Sequence, residues 1–311
     1  MINNAEFEDN KLLNNKKEEK ALIFPHNIED SFNIEKKLSN STKTSDKIHH
    51  FYNFPKYYDM AFTRDVKSDV SFFGRCFKQY TDLDVRHVLE PACGTGMFLE
   101  ILPQFGYFAL GYDLNPAMVK YSRERINNRG LTFDQADAIV GNMNSVQFNE
   151  QFEAAIICIN SLGYLRSEED ITAHFTAMGK SIKKEGIYIV ELSCMCNDFS
   201  NEKKLDDTWY INGKDIELEL TWAIKKYDIE HRVRFVDFRM VVNENGRNFI
   251  VEEAHELRLW LYNEFKKFAE IGGFEIVGIY NQNYELIPES TQISGELGAL
   301  FFILKNMKNK E

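Results

Sequence analysis

Between residues 85 and 192 the chain alternates short apolar runs with longer amphipathic ones. Val85–Glu90, Phe108–Asp113, Asp137–Gly141, Ala154–Asn160 and Gly186–Leu192 read as strands. Residues 66–80 recur with helical spacing at Val66, Val70, Phe73, Cys76 and Phe77. Gly96–Phe105, Pro116–Asn127 and Glu168–Ile182 read as further helices, with Asn115 or Asp113 placed to cap the second of these. Continuous apolar strands such as Ala154-Ala-Ile-Ile-Cys-Ile159 have no polar face, so they predict a parallel sheet covered on both sides.

From residue 208 to 260 the period falls to about two, as in Ile216-Glu-Leu-Glu-Leu220 and Val233–Val242, with Asn243-Glu-Asn-Gly246 as a turn. That predicts three or four antiparallel strands joined by hairpins. A helix over Tyr262–Ile271, stopped by Gly272-Gly273, and strands at Phe274–Tyr280 and Ala299–Leu304 complete the chain. The fold expected is α/β: a Rossmann-like, seven-stranded, mostly parallel sheet with helices on both faces, plus an antiparallel β insert after strand five. Residues 1–49 contain no glycine and are rich in Asn, Lys, Glu and Ser. They read as a disordered or loosely docked extension, leaving 50–311 as one domain with its insert at about 205–260.

Charge and composition narrow the partners. A net charge of −11 repels a phosphate backbone, so no nucleic-acid partner is expected. The sequence holds no apolar run long enough for a membrane span and no secretory leader. Its five cysteines (76, 93, 158, 194 and 196) do not form a disulfide framework. These features suggest a cytoplasmic protein with reduced thiols. Cys194 and Cys196 lack the further ligands a zinc site needs, so no metal is expected. The exposed strands of the insert offer a route to a homodimer.

The chemistry concentrates in Val88-Leu-Glu-Pro-Ala-Cys-Gly-Thr-Gly-Met97, which follows a strand and opens a helix. A turn this tight needs residues without bulky side chains, so that backbone N–H groups approach a ligand closely. Gly94 and Gly96 meet that need, and the dinucleotide pattern G-x-G-x-x-G is broken by Ala92 and Leu99. Asp113 ends the second strand, 17 residues beyond Gly96, where a carboxylate can take both hydroxyls of a ribose. These residues alone fit an adenosyl or a nicotinamide cofactor.

Glu90-Pro-Ala-Cys-Gly-Thr-Gly96 resembles the first motif of class I S-adenosylmethionine methyltransferases, with Ala92 for the usual first glycine. Gly111–Met118 resembles their second-strand segment, and Val140-Gly-Asn-Met143 their adenine-side V-G-D-M, with Asn142 for Asp. Phe152–Ile156 resembles F-D-x-V, and Ala269–Phe274 the A-G-F that ends the last long helix. Tyr57-Tyr58-Asp59 resembles a Y-Y-D that lids the cofactor. Asn160-Ser-Leu-Gly-Tyr-Leu165 resembles the S-S-I-G-H-L of amino-sugar N-methyltransferases, with Tyr164 where they have His.

The resemblance implies S-adenosyl-L-methionine as cofactor and methyl transfer to a nitrogen or oxygen of a small-molecule acceptor. By it, Tyr58, Glu90, Ala92, Gly94, Gly96, Asp113, Leu114, Asn142, Met143 and Asn160 contact the cofactor. Several of these positions have ordinary structural uses too: Asp113 as a helix cap, Glu90 as a solvated strand end, Asn142-Met143 as a simple turn. Tyr164 is a candidate for orienting the acceptor or relaying a proton, His255 for a base, and Arg258 for clamping a substrate anion. Trp209, Trp222 and Trp260 line either an acceptor cavity or the core. A nucleic-acid or protein methyltransferase, a nicotinamide oxidoreductase and a non-catalytic cofactor-binding module are the alternatives.

Overall fold

A computed structural model describes residues 51–149, 152–195 and 206–308. The extension 1–49, the His49-His50 pair and Cys196 lie outside the described residues. Helix α1 spans Pro55–Phe62 and α2 Lys67–Tyr80. There follow β1 (His87–Pro91), β2 (Phe108–Asp113), α3 (Pro116–Asn128), β3 (Ala136–Val140), β4 (Phe152–Ile157), α4 (Glu168–Ser181) and β5 (Ile182–Met195). The insert is β6 (Asp206–Asn212), β7 (Ile216–Asp228), β8 (Val233–Glu244) and β9 (Arg247–Arg258). The chain ends through β10 (Trp260–Leu261), α5 (Tyr262–Gly272), β11 (Phe274–Tyr280) and β12 (Ala299–Asn306).

The main sheet runs β11-β12-β5-β4-β1-β2-β3, with the two-residue β10 beside β5 making an eighth strand where seven were expected. Strands β3, β2, β1, β4 and β5 are mutually parallel, and β12 is antiparallel to β5. Strand β4 is buried at all six positions, as its unbroken apolar run requires. Helices α2 and α3 cover one face, where Phe73, Val119 and Ile126 join Val88, Ala109 and Ile187 in one cluster. Helices α4 and α5 cover the other: Phe175 meets Tyr188 and Phe265, and Phe265 meets Phe302 at 4.8 Å between centroids. Each such buried ring stabilises by about 1.5–3 kcal/mol.

Asn115 caps α3, its side chain accepting the Ala117 N–H at 2.8 Å. Two sequence expectations fail locally. Gly96–Phe105 is a series of turns closing in a 3-10 turn at Leu102–Phe105, not a helix. Gly96 has φ +76°, Pro103 removes a donor, and the N–H bonds alternate between the third and fourth preceding carbonyls. Strand β4 stops at Ile157 because Ile159 and Asn160 both take the left-handed conformation (φ 57° and 54°).

The insert is a four-stranded antiparallel sheet, β6-β7-β8-β9. Its inner face carries Leu218, Leu220, Phe238, Met240 and Val251, which cluster with Phe51 and with rings of α1. The segment 51–62 thus bridges the insert and the main sheet. Phe51 lies 4.1 Å from Phe238 and its N–H donates to Glu253 at 3.0 Å. On the other side Asp59 accepts from Tyr121 at 3.1 Å and pairs with Arg125, both on α3. Tyr57-Tyr58-Asp59 therefore lies within a helix of its own.

Candidate active site

The carboxyl ends of β1 and β2 lie side by side, with Glu90 opposite Gly111 and Pro91 opposite Tyr112. Parallel pairing carries the turn after β1 toward the end of β2, and Gly94 N–H donates to Asp113 Oδ2 at 2.9 Å. Asp113 Oδ1 accepts the Asn115 N–H at 2.9 Å. Each carboxylate oxygen keeps a second lone pair, so the aspartate still has capacity for two ribose hydroxyls.

Ala92, Gly94 and Gly96 alternate in the left-handed region at φ 52°, 53° and 76°. The two glycines are required for different reasons. A Cβ on Gly94 would come no closer than 3.9 Å to any neighbour, the Tyr58 ring, so the space above that backbone is open to a ligand. A Cβ on Gly96 would sit 2.1 Å from Ser122 Oγ, so this glycine lets the turn pack against α3.

Glu90 is only 5% exposed, and its Oε2 is buried with no hydrogen-bond partner among the described residues. The solvated strand-end reading is thereby excluded. Burial, reinforced by the nearby Asp113 charge, raises its pKa well above the usual carboxylate range. Burial also raises Asp113, against the pull of its two backbone donors. A buried acid and a half-buried one beside an open glycine turn form a cradle for a ligand carrying an ammonium and a diol. The residues fit S-adenosylmethionine on that ground: Glu90 for the amino group, Asp113 for the ribose, Ala92–Gly96 for the chain between.

Leu114 is 61% exposed beside Asp113, an apolar surface suited to covering a base. Asn142 Oδ1 accepts the Asn144 N–H at 3.1 Å, which builds the turn after β3. The Met143 carbonyl is held by His174 Nδ1 at 2.7 Å. Asn160 differs from its expected role. Its Oδ1 accepts the Ser193 N–H at 2.6 Å, while Ile159 N–H donates to Glu191 Oε2 at 2.8 Å. Both bonds fasten the left-handed turn after β4 to β5.

That turn continues into the 3-10 turn Ser161–Tyr164. Tyr164 Oη meets Tyr52 Oη at 2.5 Å, and the rings of Tyr52, Tyr164 and His255 lie 6.1 Å from one another. His255 is fully buried and stacks on Trp222 at 5.3 Å. The structure thus brings the two catalytic candidates together. Burial pushes the Tyr164 phenol up to about 12, so it stays protonated at neutral pH and orients rather than abstracts. Tyr52 and Glu253, which complete this wall, were not singled out by the sequence reading.

Arg258 is not part of it. Its guanidinium donates to the Arg166 carbonyl at 3.0 Å and to Glu264 at 3.3 Å, and it lies over Trp260 and Phe268 at 5.2 and 5.8 Å. His255 and Arg258 are three apart on a strand and so point to opposite faces. Arg258 ties β9 to α5, and Trp260 is core; Trp209 and Trp222 line the inner cluster of the insert.

A family profile described as a methyltransferase domain matches residues 88–186. A protein of Geobacillus sp. (strain WCH70) with a methyltransferase name is 20% identical over 235 residues, 76% of this chain and 90% of its own length. The dTDP-3-amino-3,4,6-trideoxy-alpha-D-glucopyranose N,N-dimethyltransferase of Streptomyces venezuelae is 30% identical over 105 residues, 33% of this chain and 41% of that protein. A crystal structure of an S-adenosylmethionine-dependent methyltransferase from Clostridium acetobutylicum ATCC 824 superposes with a TM-score of 0.64 at 18% identity. It covers 84% of this chain and 98% of its own, and the likeness is one of fold. Residues 88–186 thus carry a methyltransferase domain, and the fold that holds the Glu90–Asp113 cradle is like that of an S-adenosylmethionine-dependent methyltransferase.

Proposed function

We propose that this chain methylates a nitrogen or oxygen of a small-molecule acceptor, with an amine the favoured nucleophile. The observation that carries the reading is the wall of Tyr52, Tyr164 and His255, where the insert meets the turn after β4. Ligands of such sheets bind at the carboxyl ends of the strands, and this wall stands over that end. The limited similarity to an amino-sugar N,N-dimethyltransferase supports nitrogen as the target.

Bound S-adenosylmethionine supplies an electrophilic methyl on a sulfonium, and the protein's task is alignment and exclusion of water. Glu90 holds the amino group, Asp113 the ribose, and Leu114, Asn142 and Met143 flank the adenine. Tyr58 closes over Gly94 from α1. A neutral amine needs no strong base, which suits a wall whose tyrosine stays protonated. Tyr164 accepts from or donates to the acceptor and fixes its lone pair toward the methyl, and His255 packs behind it.

The test offers methyl-labelled S-adenosylmethionine to the full chain with panels of small amines and hydroxyl compounds. Label is expected in an amine, with Tyr164→Phe lowering kcat by about 10–100-fold. Label entering only polynucleotide or protein acceptors would overturn the small-molecule reading. Cofactor binding without transfer to any acceptor would leave a non-catalytic module.

A further inference from the structure

The inner face of the insert is apolar except where β8 and β9 reach the acceptor wall. Strand alternation places Arg234 in phase with Val236, Phe238 and Met240, all buried. Register sets Arg234 opposite Leu257 on β9 and Tyr227 on β7, so the three share a face. Leu257 lies against the turn that carries Tyr164: a Cβ on Gly163 would stand 3.8 Å from Leu257 Cβ. Leu257, Tyr164 and Tyr227 also belong to one cluster. Arg234 thus stands beside the wall that receives the acceptor, close enough for its charge to act on the Tyr164 phenol.

Its electrostatic situation is unusual for this molecule. Arg234 Nε is buried with no hydrogen-bond partner, and the guanidinium makes no ion pair among the described residues. Other partly buried arginines are matched: Arg125 to Asp59 and Glu100, and Arg232 to Glu264. The acid on the same face, Glu253, is engaged by the Phe51 N–H. An unmatched guanidinium on an apolar face is costly unless something else pairs with it. Its planar fork suits two oxygens of one carboxylate or phosphate.

We infer that Arg234 forms an anion subsite and that the methyl acceptor carries a carboxylate or phosphate group, held there while its nucleophile faces the cofactor. This rests on the reading that the acceptor enters between the insert and the main sheet. In a chain of net charge −11, such an acceptor needs one local cation to anchor it. The clamp that Arg258 was expected to supply falls to Arg234, on the opposite face of the same hairpin.

The experiment is calorimetric titration of the full chain, first with S-adenosylhomocysteine and then, on the loaded protein, with sodium pyrophosphate or sodium acetate. Saturable binding of pyrophosphate alone marks a phosphate-bearing acceptor, acetate alone a carboxylate, and both the shared chemistry. Arg234→Gln should weaken that binding at least tenfold, with S-adenosylhomocysteine affinity kept. Arg234→Lys keeps the charge but loses the fork; it should fall between the two and serves where the glutamine variant does not fold. Arg166→Gln, on an exposed arginine, should change nothing. No saturable binding of either anion to the loaded wild type, or binding unchanged in the Arg234 variants, would overturn the subsite. Failure at the first titration would strike the cofactor reading itself.

Discussion

At the level of single residues, Glu90 is the clearest trade of stability for binding. Its pKa is raised by burial and by Asp113. A raised carboxyl contributes stability below the unfolded value of 4.5 and loses it as pH rises through the folded value. The charged form of Glu90 is therefore a cost to the empty protein and an asset once an ammonium faces it. Glu90→Gln is predicted to raise Tm at pH 8 by about 2–4 °C, with a smaller gain near pH 5. The same variant should bind S-adenosylmethionine about tenfold more weakly. A variant with lower Tm at pH 8 and unchanged affinity would contradict this account. Asp113 was legible from its strand-end position and spacing. The charge of Arg258 suits a clamp, but its phase on β9 turns it away from His255. On a strand, three positions from His255 is the opposite face, and Arg234, in phase with the buried residues of β8, was the signal that went unused.

At the level of elements, the tight glycine turn after β1 was legible, but its helical continuation was not real. Helical propensity over Met97–Leu102 is ordinary; what breaks the helix is the left-handed Gly96 pressed against Ser122. Gly96→Ala should cost about 2–3 kcal/mol in denaturant unfolding, since it combines a positive φ with a clash against the buried Ser122 side chain. Gly94→Ala has room for its methyl group, so it should cost only about 1 kcal/mol while sharply weakening cofactor binding. Equal stability losses in the two variants would argue against the distinction. The join between insert and body gives a second case. Arg258→Ala removes a buried guanidinium from Glu264, Trp260 and Phe268, and should destabilise by about 2–4 kcal/mol with S-adenosylhomocysteine affinity preserved. A stable variant that fails to bind would restore Arg258 to the site.

At the level of the whole molecule, the parallel core and the antiparallel insert after β5 were readable, because each follows from hydrophobic period, whereas the order of the strands was not. The segment 51–62 was only half readable. Its Tyr-Tyr-Asp signature was visible, but its bridge from α3 to the insert depends on contacts far apart in sequence, such as Asp59–Arg125 and Phe51–Glu253. Another long-range tie makes acid stability a whole-molecule property. Glu153 at the start of β4 accepts the N–H groups of Arg86 and His87 at 3.1 and 2.8 Å and pairs with His87 and Lys183. These partners outweigh its burial and hold its pKa at about 2, below the ordinary 4.5. A lowered carboxyl stabilises above 4.5 and loses that contribution as pH falls through about 2. Glu153→Gln should therefore lower Tm at pH 6 and differ progressively less from wild type as pH drops. A constant offset across that range would show that the carboxylate charge is not the cause.

The central claim is that the Glu90–Asp113 cradle binds the adenosyl cofactor, and the most direct measurement is its titration. S-adenosylhomocysteine and NADH are titrated calorimetrically into the full chain and into Asp113→Ala. The account predicts affinity in the micromolar range, about −8 kcal/mol, for the adenosyl compound. It predicts a loss of at least tenfold in the variant and no binding of NADH. Tight binding of NADH alone, or S-adenosylhomocysteine binding indifferent to Asp113, would contradict it.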